Sequence, residues 1–168
     1  MDIISDFQYV RDIPYRLPLG LSEEDFSCSA KHKILKERLA KKGHEARYRV
    51  CSFLWSSLGL PKEISSIPHD DYSTHLFLEV LIDEKWLTVD ATWDIGLRNI
   101  FHINEWDGKS NTEIAVIAIK IFTPQESAEI MDGADEAEEI KELEANGEFY
   151  RAFNGWLEGN RGVSAPIG

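Results

Sequence analysis

Two β-rich runs do most to restrict how this chain can fold. Thr74-His75-Leu76-Phe77-Leu78-Glu79-Val80-Leu81-Ile82 and Trp86-Leu87-Thr88-Val89-Asp90-Ala91-Thr92-Trp93 flank the polar tip Asp83-Glu84-Lys85. Branched and aromatic side chains suit a pleated, half-buried surface, and two such runs around a short polar tip make a hairpin. Residues 74–83 and 85–93 are therefore expected to be antiparallel strands. A turn at Glu84-Lys85 would pair Asp83 with Trp86 and Glu79 with Asp90. Asp90 would then share a sheet face with Glu79, Phe77 and His75, because side chains alternate. Four residues would separate its level from that of His75, roughly 13 Å along the strand. Twist, a bulge or a longer turn has to close that distance if the two are to meet.

The best helix lies upstream. Ser27 can cap it, residues 28–42 are rich in helix formers, and Gly43 stops it. Ala30, Ile34, Leu35 and Leu39 give one apolar side. Cys28 shares it at i, i+7 and i+11 with Leu35 and Leu39, which turns the thiol toward the buried side. Residues 7–21, with Pro14 and Pro18, read as irregular and extended. Residues 22–25 read as a helical turn capped by Ser22. Residues 46–58 read as a strand, 59–72 as a loop, 95–111 as irregular and 112–122 as another strand. An acidic helix is expected over 124–146 with a break near Gly133, then a short helix over 148–158, and a frayed tail after Gly159. The sum is α+β: an early helix packed on an antiparallel sheet, closed by C-terminal helices.

The 168 residues suit one domain, with a core region over about 22–123 and a helical part over about 124–160. Eighteen basic against thirty acidic residues give a net charge of −12, which argues against a nucleic-acid or anionic-membrane surface. No run approaches the ~20 apolar residues of a membrane span, and residues 1–6 lack the basic and apolar regions of a signal peptide. Two cysteines, Cys28 and Cys51, do not make a disulfide scaffold. A cytoplasmic protein with free thiols is expected.

Cys28, His75 and Asp90 are the candidate chemistry. A thiol attacks only as thiolate, and a helix N-terminus favours an anion. An imidazole can act as base and then acid, and a carboxylate beyond it fixes its tautomer. Taken singly, each residue has a plain structural reading: a packed thiol, a half-exposed strand histidine, an aspartate ending a strand. Their order and settings make the set informative. Cys51, inside a strand, reads as a buried free cysteine. His32, four residues after Cys28 on the same helix side, could pair with Cys28 on a metal, replace His75 as base, or hold the helix by hydrogen bonding from behind the site. No CxxC or HxxxH partner is present, so no metal is assigned. Trp55 and Tyr15 are the candidates for lining a cleft, with the core as their alternative place.

These segments together resemble the transglutaminase-like superfamily. A helix opens on Cys28 in Cys28-Ser29-Ala30-Lys31-His32. A strand opens on His75 in the pattern His-x-x-x-Glu-Val. Asp90 closes a Trp-x-x-x-Asp-x-Thr strand. The match covers about residues 27–93. The resemblance implies a papain/transglutaminase-like core and a Cys28-His75-Asp90 triad. It also implies cleavage or transfer of an amide or related acyl bond through a thioester, without a cofactor. A peptide or other amide would be the substrate. The alternative is an inactive member of the superfamily acting as a binding module.

Overall fold

The Asp2 side chain accepts a hydrogen bond from the Ser5 amide and starts α1 (Ile3–Arg11), in a computed structural model that describes residues 2–162. This corrects the expectation of irregular chain from residue 7. Phe7 and Val10 are both fully buried on one side of α1. The pattern is visible only when the cap and first turn before Phe7 are read with it. After Arg11 the chain is an extended strap, bridged to the approach of the next helix at Arg16 and Phe26. Residues 22–25 form no helix. Glu23 donates its amide to the Gly20 carbonyl, and its carboxylate accepts from the Leu19 amide, closing a tight loop.

α2 (Cys28–Ala40) begins at Cys28 and ends two residues earlier than expected, with Lys41 as its cap. Its buried residues are Lys31, His32, Leu35 and Leu39, so the inner side carries two polar groups that a hydrophobicity pattern would place outside. β1 (Ala46–Leu54) is shorter than expected. The chain bends into a 3₁₀ turn at Trp55–Leu58, held by Trp55 N donating to the Asp71 carbonyl and Ser56 to the Asp71 carboxylate. The following loop contains a four-residue helix, α3 (Lys62–Ser65).

β2 (Tyr72–Ile82) and β3 (Lys85–Val89) are the hairpin. Its turn is Asp83-Glu84, not Glu84-Lys85, because Ile82 pairs with Lys85. Both turn residues have positive φ, 47° and 64°, as a two-residue turn matched to strand twist requires. Moving the turn by one residue shifts the register by two. Leu78 pairs with Val89, which brings Asp90 level with Phe77 and keeps it on the face of His75. The offset from His75 falls to two residues, roughly 7 Å.

The antiparallel strands run in the order β3-β2-β1-β4, with β4 (Lys120–Ile121) at one edge. Only these two residues of the expected strand over 112–122 join the sheet. Earlier ones give their backbone groups elsewhere: Ala115 N to Asp90, Ala115 O to Trp93 Nε1, and Glu113 to Asn104. α4 (Pro124–Asp132) is capped by Thr123 and Glu126 in a capping box. α5 (Glu136–Asn160) then runs through Gly147 without a second break. The separation near Gly133 is therefore where the sequence indicated, and the one near residue 147 is absent. Of the expected frayed tail, residues 163–168 lie outside the described residues.

One core joins Phe7, Val10, Leu35 and Leu39 of α1 and α2 to Leu78, Val80, Leu87 and Val89 of the hairpin. A second joins Tyr15 of the strap and Phe53, Trp55 and Trp93 to Phe149, Phe153 and Leu157 of α5. Full burial of such side chains is worth about 1.5–3 kcal/mol each. Among the described residues, no helix is long and apolar enough to cross a membrane.

Candidate active site

The second core meets the first turn of α2 and the end of the hairpin around a cavity of about 520 Å³. Cys28, His75, Tyr15, Trp55 and Trp93 all contribute to its wall. Cys28 is half-buried and His75 is buried. Tyr15 and Trp55 thus do both things proposed for them: they line the cleft and are 5% exposed members of the core.

His75 Nε2 donates to Asp90 Oδ2 at 2.7 Å. Cys28 shares the cavity wall with His75, and its proximity is a smaller influence favouring the protonated imidazole. Burial alone would lower the His75 pKa. The Asp90 charge and hydrogen bond, with a smaller part from Cys28, outweigh burial and raise it to about 10. Asp90 is fully buried. Burial would raise its pKa, but His75, then His32 and Thr92, hold it well below the usual carboxylate range.

Asp90 has a complete set of donors. Oδ2 accepts from His75 and from the Ala115 amide at 2.8 Å. Oδ1 accepts from the Thr92 amide at 3.0 Å and the Thr92 hydroxyl at 2.6 Å. Its backbone is fixed too: Asp90 N donates to Thr112 Oγ1, and Asn104 Nδ2 donates to Asp90 O. A carboxylate held on this many sides cannot swing away from the imidazole, so the ring's orientation is set by the fold.

His32 is placed behind the site rather than in it. Nδ1 donates to the Cys28 carbonyl at 2.8 Å, and Nε2 accepts from the Ala91 amide at 2.9 Å. Both nitrogens are thereby engaged, with the ring neutral, and burial lowers its pKa to about 4. It joins the first turn of α2 to the residue after Asp90. Neither a metal bond nor the role of base is open to it in this arrangement. Among the described residues no group of three or more His, Cys, Asp or Glu could hold a metal ion.

Lys31 was not singled out from the sequence. It is fully buried, and Nζ donates to the carbonyls of Arg11 at 2.8 Å, Ile13 at 2.8 Å and Thr92 at 2.6 Å. It thus ties α2 to the strap and to the segment after Asp90. Burial pulls its pKa down to about 7, against the charges of Asp94, Asp90 and Asp12. Its only sequence signal is a charge on the otherwise inner side of α2. Asp94 and Arg161 complete the clamp. Asp94 Oδ2 accepts from Tyr15 N at 2.9 Å and from Arg161 Nη2 at 3.1 Å.

Ser27 occupies the cap position with extended backbone, but its side chain makes no cap hydrogen bond. The first-turn amides at Cys28 and Ser29 therefore have no side-chain cap, and no other backbone group among the described residues accepts from them. Cys51 lies directly across the β1–β2 ladder from His75. It is fully buried, and burial, with the Asp90 and Cys28 charges, raises its pKa to about 12. That leaves it an unreactive core thiol.

Set against known protein families, curated proteins and solved structures, the chain matches none of them.

Proposed function

We propose that this protein is a cysteine-dependent hydrolase or acyltransferase that acts on an amide or related acyl bond, on a core of the papain/transglutaminase type. The reading is carried by one observation. The His75 ring holds Asp90 at 2.7 Å on one nitrogen, and His75 and Cys28 share the wall of one cavity. Three separate elements, α2, β2 and the end of β3, supply these groups.

In the proposed cycle His75 takes the Cys28 thiol proton, and the sulfur attacks the carbonyl carbon of the bound amide. The carbonyl electrons move to oxygen, where the uncapped amides at the start of α2 are the donors available to it. The tetrahedral intermediate collapses, the C–N bond breaks, and His75 gives its proton to the departing amine. A thioester on Cys28 remains. Water or a second amine attacks it while His75 takes back a proton, and Cys28 leaves. Asp90 keeps the ring oriented and stabilises its charged form.

A simple ester tests this. On incubation with p-nitrophenyl acetate, Cys28 should acquire one acetyl group, seen by mass spectrometry of the intact and digested protein. Cys28→Ala should abolish the adduct, and His75→Ala should slow it by about 10²-fold or more. A folded protein that takes no acetyl group at Cys28 would defeat the proposal and leave the cavity as a binding site without chemistry.

A further inference from the structure

The wall of the cavity has a one-sided charge. Four carboxylates contribute to it: Glu23 and Asp25 from the segment before Cys28, and Glu139 and Glu142 from α5. No lysine or arginine contributes. His75 is the one cationic group there, and Asp90 neutralises it within the pair. The rest of the wall mixes serine and threonine hydroxyls with apolar side chains, among them Leu17, Trp55, Leu58, Trp93, Val116 and Leu143.

Three of the four carboxylates are held in place by this chain. Asp25 accepts from the Ser27 amide at 2.7 Å, Glu23 from the Leu19 amide at 2.9 Å, and Glu142 from the Tyr150 hydroxyl at 2.5 Å. Asp25, Glu139 and Glu142 have no lysine or arginine partner among the described residues, and Glu23 has only Arg16 at 3.6 Å. A negative, partly enclosed surface focuses its field on what enters it. The chain's net charge of −12 adds to that field at longer range.

We propose that the cleft selects basic, hydrophobic peptides: an apolar acyl segment beside Cys28, flanked by lysine or arginine side chains that meet Glu139, Glu142, Glu23 and Asp25. This rests on the reading of Cys28 as nucleophile and adds the substrate class to it. Acidic peptides are turned away by the same four groups, since like charges in a cleft lower both the encounter rate and the stability of the complex.

Two peptidyl fluoromethyl ketones with the same Leu-Leu segment test it, one carrying Lys-Lys upstream and one Glu-Glu. The rate of adduct formation at Cys28 is followed by mass spectrometry, with iodoacetamide on the same preparation as the check on the thiol. At about 20 mM salt the lysine peptide should react about tenfold faster, and the ratio should shrink at about 500 mM as the charges are screened. Glu139→Lys, at an exposed position, should reduce the ratio at low salt. Equal rates for the two peptides, or a faster glutamate peptide, with iodoacetamide still alkylating Cys28, would overturn the selectivity alone. If neither the peptides nor iodoacetamide modify Cys28, the nucleophile reading and the selectivity fall together.

Discussion

Burying a lysine is costly unless its ammonium is fully hydrogen-bonded, and Lys31 gives all three of its donors to carbonyl oxygens. The converse matters as much. The carbonyls of Arg11 and Thr92 lie in the interior and that of Ile13 partly so, and all three lose a donor together if Lys31 is replaced. Lys31→Met keeps the volume and removes the donor. It should cost about 3 kcal/mol, the scale of leaving several buried acceptors unsatisfied, and lower Tm by roughly 6–12 °C in a chain of this size. Urea and thermal unfolding check both figures. Because Thr92 also donates twice to Asp90, the same variant should acylate more slowly at Cys28.

Among the elements, the hairpin positions the site. Its register depends on a turn whose two residues both have positive φ, yet neither Asp83 nor Glu84 is glycine. A side chain in that region costs about 1 kcal/mol, which glycine avoids. Glu84→Gly should therefore stabilise the protein by about 0.5–1 kcal/mol, despite the greater freedom it gives the unfolded chain. Thermal denaturation should show a Tm higher by roughly 1–4 °C. A lower Tm would mean that the turn, and with it the level of Asp90 against Phe77, is held by something other than local backbone preference. The sequence pointed to the hairpin but placed its turn one residue late. That error was harmless for the face of Asp90, since a register shift of two preserves which side chains share a face.

At the scale of the whole molecule, the buried titratable groups set how stability follows pH. His32 has a folded-state pKa of about 4, below its ordinary 6.5. As pH falls from about 6.5 toward 4, the unfolded chain takes up a proton there that the folded chain refuses, so stability declines. Asp90 adds to the loss at lower pH. Its pKa is depressed in the fold, so its contribution is present above about 3.8 and fades as pH falls. Lys31 is protonated in both states below about pH 7 and does not shape this limb. Unfolding free energy measured between pH 4 and 7 should therefore fall toward the acid side. His32→Gln should flatten the part between 6.5 and 4, whatever it does to the absolute value. On the alkaline side, His75 is raised to about 10. Its stabilisation is present below about 6.5 and lost as pH rises through 10.

What could be read along the chain was what depends on neighbours in sequence. The hairpin, the helix opening on Cys28, the common face of His75 and Asp90, and the break at Gly133 all follow from periodicity, capping and turn residues. α1 is not legible from residue 7 onward, because its cap, Asp2, and its first turn precede that residue. The rest was settled by partners distant in sequence. Residues 112–119 have strand-like composition, but most stay out of the sheet, their backbone turned to Asp90, Trp93 and Asn104. Lys31 is buried because three carbonyls from two other segments converge on it, and His32 is neutral because packing buries it completely, with the Ala91 amide donating to it across 59 positions. The acidic lining of the cavity came from bringing α5 against the segment before Cys28. Local pattern carries the energy of each element's own backbone and face, whereas the placing of a donor, a charge or a cavity wall is a property of how those elements pack.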